Sequence, residues 1–414
     1  MVFKKQKFYK FIDFLAVFLM GILALPVFSF KNLLICFLSG LIWVFLMDAI
    51  GVYDFGNINN FKKTFNHFLF SLPFIAFFYL LIYFCFKVTE IFLIIQFLLS
   101  FLLILILKLI FIKGKILNKF KKKIIIVSEE IEKIKSFIKK IPEYEIVSVI
   151  KYSATKPNGG MLKERIPPYE IVTDYGAKIL ENYKIKYFEE IYEKITGRIP
   201  IDFIKNEEYL KEFLKRSKKG KFFEISKRIF DIVGALIGGI IYLLIFPFIA
   251  ILVKIDSKGP LFYKHKRTGK DGKVFTIYKI RTMIKDAEKE KPVWAKKNDP
   301  RITRVGKFLR KTRLDEFTQL FNILKGEMSA IGPRPERPGL EEEIKKHIPY
   351  YELRYLVKPG MAGWAMVNYD YVDSIEDAKI RHEYDLYYIK NRSFYLDFKI
   401  FIRALYSLLL LKGR

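Results

Sequence analysis

The residues best suited to chemistry lie in the stretch RLDEFTQLFN, residues 313–322, where two carboxylates are adjacent. Asp315 and Glu316 are surrounded by cations, which are Lys307, Arg310, Lys311 and Arg313. Apolar residues recur after them at helical spacing, which predicts a helix that begins near Asp315. Backbone amides at a helix N-terminus and the helix dipole favour negative charge, so both carboxylates should stay ionised and a phosphate could bind there.

A regular helix would turn the two acids in different directions. Asp315, Gln319 and Asn322 stand at i, i+4 and i+7 and share one face, which we expect to bind substrate. Glu316 points about 100° away from that face. One ionised carboxylate could attack a phosphorus atom, and the other could hold Mg²⁺ through oxygen. The alternative is an acid pair that only stabilises the start of its helix.

Two further motifs supply cations for phosphate. Lys279 and Arg281 stand two residues apart in the strand-like segment GPLFYKHKRTGKDGKVFTIYKIRTM, 259–283, so they should project from one side of it. In SAIGPRPERP, 329–338, two prolines flank Arg334, and arginine binds phosphate in a bidentate way. The alternatives are a basic strand that lies on anionic lipid headgroups and a simple proline-rich turn.

The composition indicates the class of protein that holds these motifs. The 414 residues are 52% hydrophobic and carry a net charge of +29. This combination argues against a nucleic-acid-binding tail, which would be polar throughout, and suits a membrane protein whose cytosolic parts lie against anionic lipid. Cys36 and Cys85 sit in apolar runs, and the histidines lack metal-ligand spacing, so we expect neither a disulfide framework nor a zinc site.

Apolar runs fill the first quarter of the chain, and each approaches the roughly 20 residues that span a bilayer. They cover about 11–30, 32–50, 67–87 and 91–112. No small-residue cleavage site follows the first run, so we interpret it as an anchor and not as a signal peptide. Lysines concentrate before the first run, between the second and third, and after the fourth, whereas the other connections carry little more than Lys31 and Lys87. The positive-inside rule then places both ends of a four-helix transmembrane bundle, 1–115, in the cytosol.

Residues 121–215 change to short β-like runs that alternate with amphipathic stretches, which predicts a small α/β module with a partly parallel sheet. A nucleotide-binding module would place a glycine-rich turn after its first strand. This chain has Val127, Ser128, Glu129 and Glu130 there, with an acidic pair where phosphate would sit. We therefore expect a degenerate Rossmann-like module with a structural or regulatory role.

A fifth apolar run, about 230–254, is long enough to span a bilayer but has basic clusters on both sides. A true span would place one cluster outside the cell, against the charge rule. Pro247 removes a backbone donor in the middle of the run and favours a bend. We therefore predict a re-entrant helix, about 225–254, that breaks near Pro247 and returns to the cytosolic face. The last segment, 396–411, predicts either an interfacial amphipathic helix or a packed core helix.

Behind this apolar run, the three motifs in their order resemble the bacterial sugar transferases, the large monotopic polyprenyl-phosphate phosphoglycosyl transferases of exopolysaccharide synthesis. The resemblance continues through VKPGMAGWAMVNYDY (357–371), SIEDAKIRHEYDLYYIKN (374–391) and FYLDFKIFIRAL (394–405), and covers 221–414. It implies a membrane α+β fold in which a monotopic catalytic domain, 221–414, follows the helices and the α/β module. It also implies transfer of a sugar-1-phosphate from a UDP-sugar to undecaprenyl phosphate at the cytosolic face of the bacterial cytoplasmic membrane.

The resemblance also implies roles for individual residues. Asp315 matches the family's nucleophile, which forms a covalent aspartyl-phosphosugar intermediate and releases UMP, and Glu316 matches the Mg²⁺ ligand beside it. Pro247 matches the proline that breaks the re-entrant helix. The other polar residues of the family's active site match Lys279, Arg310, Arg334 and Asp385.

Several positions depart from the family pattern. Phe246 stands where a serine often precedes the proline, His265 where glutamine is common, and Thr318 where proline is frequent. Where the family typically reads GITGWAQVN, this chain reads GMAGWAMVN, and Met366 replaces a glutamine near the expected sugar site. The catalytic motifs are intact, so these departures bear on which sugar is transferred more than on the reaction.

Other classes of protein predict other sequences. A catalytically idle scaffold of a polysaccharide-assembly complex would lack Asp315 or Glu316, and both are present. A lipid or nucleic-acid binder would spread its basic residues over exposed faces, and a two-metal transmembrane transferase would carry Asp-rich loops between its spans. The sequence favours the enzyme, with a UDP-sugar donor, a polyprenyl phosphate acceptor and anionic membrane lipid as partners, and without nucleic acid. It is compatible with a homo-oligomer.

Overall fold

The computed structural model divides the chain into two compact units, Met1–Ile191 and Tyr192–Arg414. The described residues are 2–25, 29–54, 61–86, 90–114, 122–128, 130–141, 144–151, 170–173, 185–204, 207–284, 299–369 and 374–409. Lys87, Glu129 and the basic segment 115–121, on which the sequence predictions drew, lie outside them.

Apolar α-helices form the first quarter of the chain. They are α1 Val2–Leu23, α2 Phe30–Ile50, α3 Phe61–Phe86 and α4 Glu90–Gly114. Ser29 caps α2 because its hydroxyl accepts a hydrogen bond from the Asn32 amide, and Gly51 ends the helix in the left-handed region. Side chains from all four helices share one buried cluster. The prediction of several apolar helices near the N-terminus is confirmed.

Helices long and apolar enough to cross a membrane are found in both units. Among the described residues they are Phe30–Ile50, Thr64–Phe84, Ile91–Lys108 and Lys221–Asp256. The helix α1 is not one of them, although the first apolar run was predicted to be an anchor. The physical reason is that α1 begins at Val2, so that its first half contains the lysines of the N-terminal segment.

One buried ion pair connects α1 with α4. The Lys108 ammonium lies 3.2 Å from the Asp13 carboxylate, and the Tyr53 hydroxyl donates to the same carboxylate at 2.5 Å. All three side chains are buried. A single cation therefore neutralises a single anion, and a neutral hydroxyl supplies the remaining hydrogen bond.

A parallel sheet forms the second part of the N-terminal unit. Its strands are β1 Lys122–Ser128, β2 Tyr144–Lys151, β3 Glu170–Thr173 and β4 Ile185–Tyr187, in the spatial order β2-β1-β3-β4. The central strand β1 buries Ile124 and Ile126, and the following helix α5, Ile131–Ile138, buries Ile134. The predicted α/β region with a parallel sheet is confirmed. In the turn after β1, the Ser128 hydroxyl accepts from the Glu130 amide.

The end of the predicted α/β module packs with the C-terminal unit. It contains the helices α6 Phe188–Thr196 and α7 Glu207–Ser217. The Lys390 ammonium lies 2.5 Å from the Glu193 carboxylate, and the Trp364 indole donates to the Gly197 carbonyl at 2.8 Å. Because of these contacts, the structural boundary falls between residues 191 and 192, before the end of the predicted module, 121–215.

A long helix, α8 Lys221–Asp256, begins the predicted catalytic domain and has 36 residues. It continues through Pro247, so the predicted break at this proline is not confirmed. Tyr242 before the proline and Ile249 and Val253 after it belong to one buried cluster. Packing of both halves on the same surface opposes the bend that the missing backbone donor would favour.

One face of α8 contacts the rest of the C-terminal unit along most of the helix. The contacting residues recur every three or four positions, as one helix face requires, and are Arg228, Asp231, Ala235, Gly238, Tyr242, Phe246, Ile249, Val253 and Asp256. Polar contacts fix both ends: Arg228 donates to the Ile323 carbonyl at 2.6 Å, and Asp256 accepts from the Val305 amide at 2.9 Å. The other faces expose apolar side chains, such as Ile240.

The remaining elements surround the acid-bearing segment. They are β5 Phe262–Thr268, β6 Val274–Ile280, α9 Arg304–Thr312, a 3₁₀ helix Leu314–Gln319, α10 Leu320–Lys325, β7 Ser329–Ile331, α11 Pro338–His347, a 3₁₀ helix Tyr351–Leu356, β8 Gly360–Ala362, α12 Trp364–Asn368, α13 Ile375–Asn391 and α14 Phe394–Leu409. The pair β5–β6 is antiparallel and β7–β8 is parallel. Helix α14 buries Leu396, Ile400 and Ile402, which favours the packed alternative for the C-terminal segment.

Candidate functional site

The acid-bearing segment differs from the regular helix that the sequence predicted. Helix α9 ends at Arg313, whose backbone is left-handed with φ 55°, and a 3₁₀ helix carries Asp315 and Glu316. Only from Leu320 does the chain become α-helical. A 3₁₀ helix has three residues per turn, whereas the prediction assumed the 3.6 residues of an α-helix. Asp315, Gln319 and Asn322 therefore do not share the predicted face.

Two polar side chains fasten this segment to β6. The Thr318 hydroxyl donates to the Tyr278 carbonyl at 2.6 Å. The Asn322 amide donates to the Thr276 carbonyl at 2.7 Å and to the Glu327 carboxylate at 2.7 Å. Asn322 is fully buried, so the structure gives it a structural contact and does not bring it to the substrate face.

Glu316 is the centre of a buried charge cluster. Its Oε1 atom lies 2.5 Å from the Lys279 ammonium and 2.6 Å from the Arg334 Nη2 atom, and Arg334 Nη1 reaches Oε2 at 3.2 Å. Burial alone would raise the pKa of Glu316, but the charges of Arg334 and Lys279 reverse this effect and hold the pKa well below its usual range. The carboxylate therefore stays ionised, and two cations share it.

The electrostatic effect on the partners follows from the same contacts. The Glu316 carboxylate raises the pKa of the Arg334 guanidinium. Burial lowers the pKa of the Lys279 ammonium, and Glu316 opposes that effect. Lys279 and Arg334 together with the nearby Arg310 outnumber the carboxylates of Glu316 and Asp315, which leaves positive charge that favours a phosphate ligand.

Asp315 lies beside this cluster in a different environment. It is 7% exposed, and its side-chain oxygens accept no hydrogen bond from the part of the chain that the structure describes. Burial, and then the charge of Glu316, raise the pKa of Asp315 to about 6 against the opposing charges of Lys279 and Arg310. At neutral pH this carboxylate is mostly ionised, and the ionised form is the one that can act as a nucleophile.

Close backbone packing positions the loop that carries Arg334. A Cβ atom added to Gly360 would lie 2.0 Å from the Gly332 nitrogen, so only glycine allows the two segments to approach in this way. On the other side, the Arg354 guanidinium donates to the Arg334 carbonyl at 2.7 Å and contacts Asp385 at 3.1 Å. Asp385 therefore acts on the site through Arg354 and the loop backbone.

Arg354 was not predicted from the sequence. It is buried, and its position in YELRYLVKPG shows no motif or periodicity that distinguishes it from a surface arginine. His265, which stands where the family commonly has glutamine, is also near the site. Burial, followed by the charges of Arg267 and Lys279, lowers the pKa of His265 to about 2, so its ring is neutral and adds no charge.

The structure brings together some of the predicted site residues and separates others. Lys279, Arg334, Asp315 and Glu316 form one group, and Arg310 acts on the pKa of Asp315 while its Nε atom donates to the Thr282 hydroxyl at 2.8 Å. Gln319 follows Glu316 by three residues and has a buried side chain. Its amide nitrogen has no hydrogen-bond partner among the described residues.

Arg281 is the clearest difference. The strand β6 ends at Ile280, so the alternation that would align Arg281 with Lys279 stops before it. The Arg281 guanidinium donates to the carbonyls of Ser257 and Lys258 at 2.6 and 3.0 Å, where it fixes the chain just after α8. The prediction that it binds phosphate beside Lys279 is not supported by this geometry.

The donor chemistry suits a magnesium ion shared with a substrate. No group of three metal-ligating side chains occurs among the described residues. Mg²⁺ is usually held by one or two carboxylates together with substrate phosphates, so three protein ligands are not required. The Glu316 Oε1 atom accepts from both cations, whereas Oε2 accepts only from Arg334 Nη1 and keeps a lone pair for a metal ion. The chemistry of Glu316 thus fits the single-carboxylate Mg²⁺ ligand that the sequence predicts.

Comparison with known proteins places this fold and site in a class. Residues 222–410 match the family described as bacterial sugar transferase. A putative undecaprenyl-phosphate N-acetylgalactosaminyl 1-phosphate transferase of Bacillus subtilis is 49% identical over 142 residues, which are 34% of this chain and 79% of that protein. The exopolysaccharide production protein PSS of Rhizobium leguminosarum bv. phaseoli is 37% identical over 192 residues, which are 44% of this chain and 94% of that protein. The chain belongs to the bacterial sugar transferase family.

A longer match extends beyond this domain. The UDP-N-acetylgalactosamine-undecaprenyl-phosphate N-acetylgalactosaminephosphotransferase of Aeromonas hydrophila is 37% identical over 230 residues, or 56% of this chain. The match spans about half of that relative, 53% of its length. The apolar helices agree with a membrane protein.

Proposed function

We propose that this protein transfers a sugar-1-phosphate from a UDP-sugar to polyprenyl phosphate at the cytosolic face of the bacterial cytoplasmic membrane. Membership of the bacterial sugar transferase family supports the class of reaction. One observation carries the mechanism: Asp315 is a buried carboxylate without a direct partner, next to Glu316, which two cations hold. The product would start the assembly of an exopolysaccharide or a related glycan.

In the first half-reaction, an Asp315 oxygen attacks the phosphorus that carries the sugar. The new bond joins aspartate to phosphorus, the bond between that phosphorus and the bridging oxygen breaks, and UMP leaves with the bonding electrons. Lys279 and Arg334 would bind the diphosphate oxygens and stabilise the charge that moves to UMP, because phosphoryl transfer depends mainly on positioning and charge neutralisation. The sugar-1-phosphate then remains on Asp315.

In the second half-reaction, a phosphate oxygen of polyprenyl phosphate attacks the same phosphorus. The bond from phosphorus to Asp315 breaks, and the carboxylate returns ionised, so no net proton is required. Glu316 would hold Mg²⁺ together with the substrate phosphates, and the ion when bound would neutralise phosphate charge. Arg310 favours the ionised form of Asp315 through its charge. Asp385 and Arg354 would hold the Arg334 loop in place.

The long helix α8 supports the membrane arrangement that we propose. Polar contacts tie both Arg228 and Asp256 to the same unit, and the faces between them expose apolar side chains. A helix fixed to one catalytic unit at both ends suits a monotopic position, with both ends on the cytosolic side, better than a full crossing. Labelling of cysteines introduced at Lys221 and Lys258 from outside intact cells would test this; labelling of either residue contradicts it.

The decisive experiment measures UMP release by the full chain in membranes. UDP-N-acetylgalactosamine and UDP-glucose are the first donors to test, because relatives are named for the transfer of N-acetylgalactosamine phosphate and glucose phosphate. With donor and Mg²⁺ but no acceptor, we expect one UMP per enzyme and a protein mass increased by one sugar phosphate. With undecaprenyl phosphate, turnover should continue.

The variant Asp315→Asn should lose the burst of UMP and the covalent adduct, with turnover lowered by at least about 10³-fold, as expected for loss of a nucleophile. Asp202→Asn is the matched control, because Asp202 is exposed and pairs only with Lys379 at 2.7 Å. Unchanged turnover in Asp315→Asn would contradict the covalent mechanism. The absence of turnover with every donor of a wide UDP-sugar panel would favour the idle scaffold instead.

A further inference from the structure

A second cluster of cations lines a cleft of about 480 Å³, which includes its open mouth, against the first half of α8. Its basic lining residues are Lys227, Arg228, Lys270, Lys358 and Arg392, and its acidic ones are Glu224 and Asp231. None of the residues that contact Glu316 lines it. The cleft is therefore separate from the proposed catalytic site.

Most charges in this cleft have protein partners. Lys227 lies 2.7 Å from Asp397, and Arg392 lies 2.9 Å from Glu224. Arg228 donates to the carbonyls of Ile323 and Leu324, and Asp231 accepts from the Ala330 amide and the Ser329 hydroxyl. These contacts build the walls of the cleft.

Two lysines in the cleft have no such partner. Neither the Lys270 nor the Lys358 ammonium group makes a hydrogen bond or an ion pair with any described residue. Lys358 is half-buried, and burial followed by the charges of Arg228 and Lys270 lowers the pKa of its ammonium. The carboxylates of Asp231 and Glu224 partly offset these charges, but Asp231 accepts from Ala330 and Ser329 and Glu224 pairs with Arg392. The basic lining residues outnumber the acidic ones, so the cleft keeps an excess of positive charge that an anionic ligand would neutralise.

The surroundings of the cleft indicate where that anion comes from. On the same part of α8, Phe222, Ile225 and Ile229 expose large apolar side chains. Leu356, which lines the cleft, is 39% exposed. Apolar surface continuous with basic residues is typical of protein at the level of lipid headgroups, where the acyl chains and the phosphate are met together.

We propose that this cleft binds the phosphate of an anionic phospholipid, with the Lys270 and Lys358 ammonium groups on its oxygens and the acyl chains along the exposed face of α8. Free inorganic phosphate presents the same oxygens but cannot use the apolar surface. The site would thereby tie the catalytic unit to lipid near the start of α8. It is independent of the proposed reaction, because no catalytic residue takes part.

The test titrates the full chain in detergent micelles with a fluorescent phosphatidylglycerol and, separately, with the zwitterionic phosphatidylcholine of the same chains. We expect phosphatidylglycerol to bind at least about tenfold more tightly, the equivalent of one charge-assisted contact. The double variant Lys270→Gln, Lys358→Gln should lose this preference. Lys273→Gln is the matched control, since Lys273 is exposed on the same β5–β6 turn and does not line the cleft.

Lys270→Gln alone gives a second reading, because Lys270 is exposed and its replacement leaves the fold intact; it should weaken phosphatidylglycerol binding about threefold. Equal affinity of the wild-type chain and the double variant would overturn the proposal. So would equal affinity for the two lipids. Displacement of the lipid by inorganic phosphate at equal concentration would show a free-phosphate site and would overturn the assignment to a lipid.

Discussion

Charge is buried in both units of the chain, and the two places arrange it differently. Between α1 and α4, Lys108 meets Asp13 one to one, and Tyr53 completes the hydrogen bonding. In the C-terminal unit, Glu316 faces two cations while its neighbour Asp315 has no direct partner. The first arrangement is closed, whereas the second leaves a cation and an anion available to a ligand.

The difference separates structural charge from functional charge. A buried ion pair that is locally neutral holds two helices in register and offers nothing to a substrate. A cluster with unequal partners has a pKa shifted upward for one acid and downward for the other, which is typical of active sites. Variants that remove one charge at a time can test this distinction.

The largest effect should come from removing the shared anion. Glu316→Gln leaves Lys279 and Arg334, which are 17% and 28% exposed, without their shared counter-ion. We expect the free energy of unfolding to fall by about 3 kcal/mol, at the lower end of the cost of breaking a buried ion pair. Asp13→Asn should cost a similar amount for the same reason. Chemical denaturation of the full chain in detergent measures both.

A second substitution distinguishes the two arrangements. Lys108→Met added to Asp13→Asn should restore most of the stability, because no unpaired charge is left. Lys279→Met added to Glu316→Gln should restore less, because Arg334 stays unpaired. Equal rescue in both places would contradict the difference between them. Glu343→Gln serves as control, since this exposed acid only pairs with Lys346 and His347 on the surface, and its loss should not be measurable.

Removing Asp315, the acid without a direct partner, should raise the free energy of unfolding at neutral pH instead of lowering it. The pKa of Asp315 is raised to about 6, so the folded state holds this proton more tightly than the unfolded chain, in which the pKa is near 3.9. Its contribution to stability is fully present below pH 4 and is lost as the pH rises through 6. Asp315→Asn should therefore stabilise the protein at pH 7 by about 2–3 kcal/mol.

This gain should disappear near pH 4, where the wild-type carboxyl is protonated. Denaturation curves at pH 4 and pH 7 measure it, with Asp202→Asn as the exposed control. A loss of stability at pH 7 would mean that Asp315 has stabilising partners, and the contrast with Glu316 would fail.

A smaller effect is expected where the acid-bearing segment is fastened to β6. Thr318→Val keeps the shape of the side chain but leaves the Tyr278 carbonyl without its donor, which should cost about 1 kcal/mol. Thr312→Val is the control, because its hydroxyl donates to the Phe308 carbonyl within α9, near solvent. Equal costs in denaturation would show that the contact to β6 has no special value.

The smallest effect concerns the pH dependence of the reaction. Because Asp315 must be ionised to attack, the rate of UMP release should rise with pH through about 6. Arg310→Gln removes a charge that favours the ionised form, so this rise should move to higher pH by less than about one unit. Lys311→Gln, at an exposed neighbouring position, should leave the profile unchanged; a shift of the same size there would contradict a specific role for Arg310.

Sequence reasoning located much of this site because the motifs that bring its charges together are short and dense. Asp315, Glu316, Lys279 and Arg334 could be chosen from the local abundance of cations, the strand pattern and the flanking prolines. The geometry of the acid-bearing segment could not be predicted, because Arg313 adopts a left-handed backbone conformation that is uncommon for arginine. For the same reason, the single α-helical face predicted for Asp315, Gln319 and Asn322 does not form.

Contacts between distant segments were also invisible in the sequence. Arg281 lies one residue beyond the end of β6 and fixes the chain after α8, and Arg354 supports the Arg334 loop through a backbone carbonyl. For the N-terminal helices, hydrophobicity was sufficient, whereas the path of α8 depends on packing along its whole contact face. A proline in the sequence indicates a lost donor but does not determine whether the surrounding packing tolerates it.

The close approach of Gly332 and Gly360 has a consequence for binding entropy. The loop that follows Gly332 holds Arg334 against Glu316 through contacts within the protein itself. A guanidinium that is already ordered loses little freedom when a diphosphate arrives, whereas immobilising a free arginine side chain costs about 0.5–1.5 kcal/mol. In the proposed reaction, folding would already have ordered Arg334, so a larger part of its contact with the diphosphate would remain as affinity for the donor.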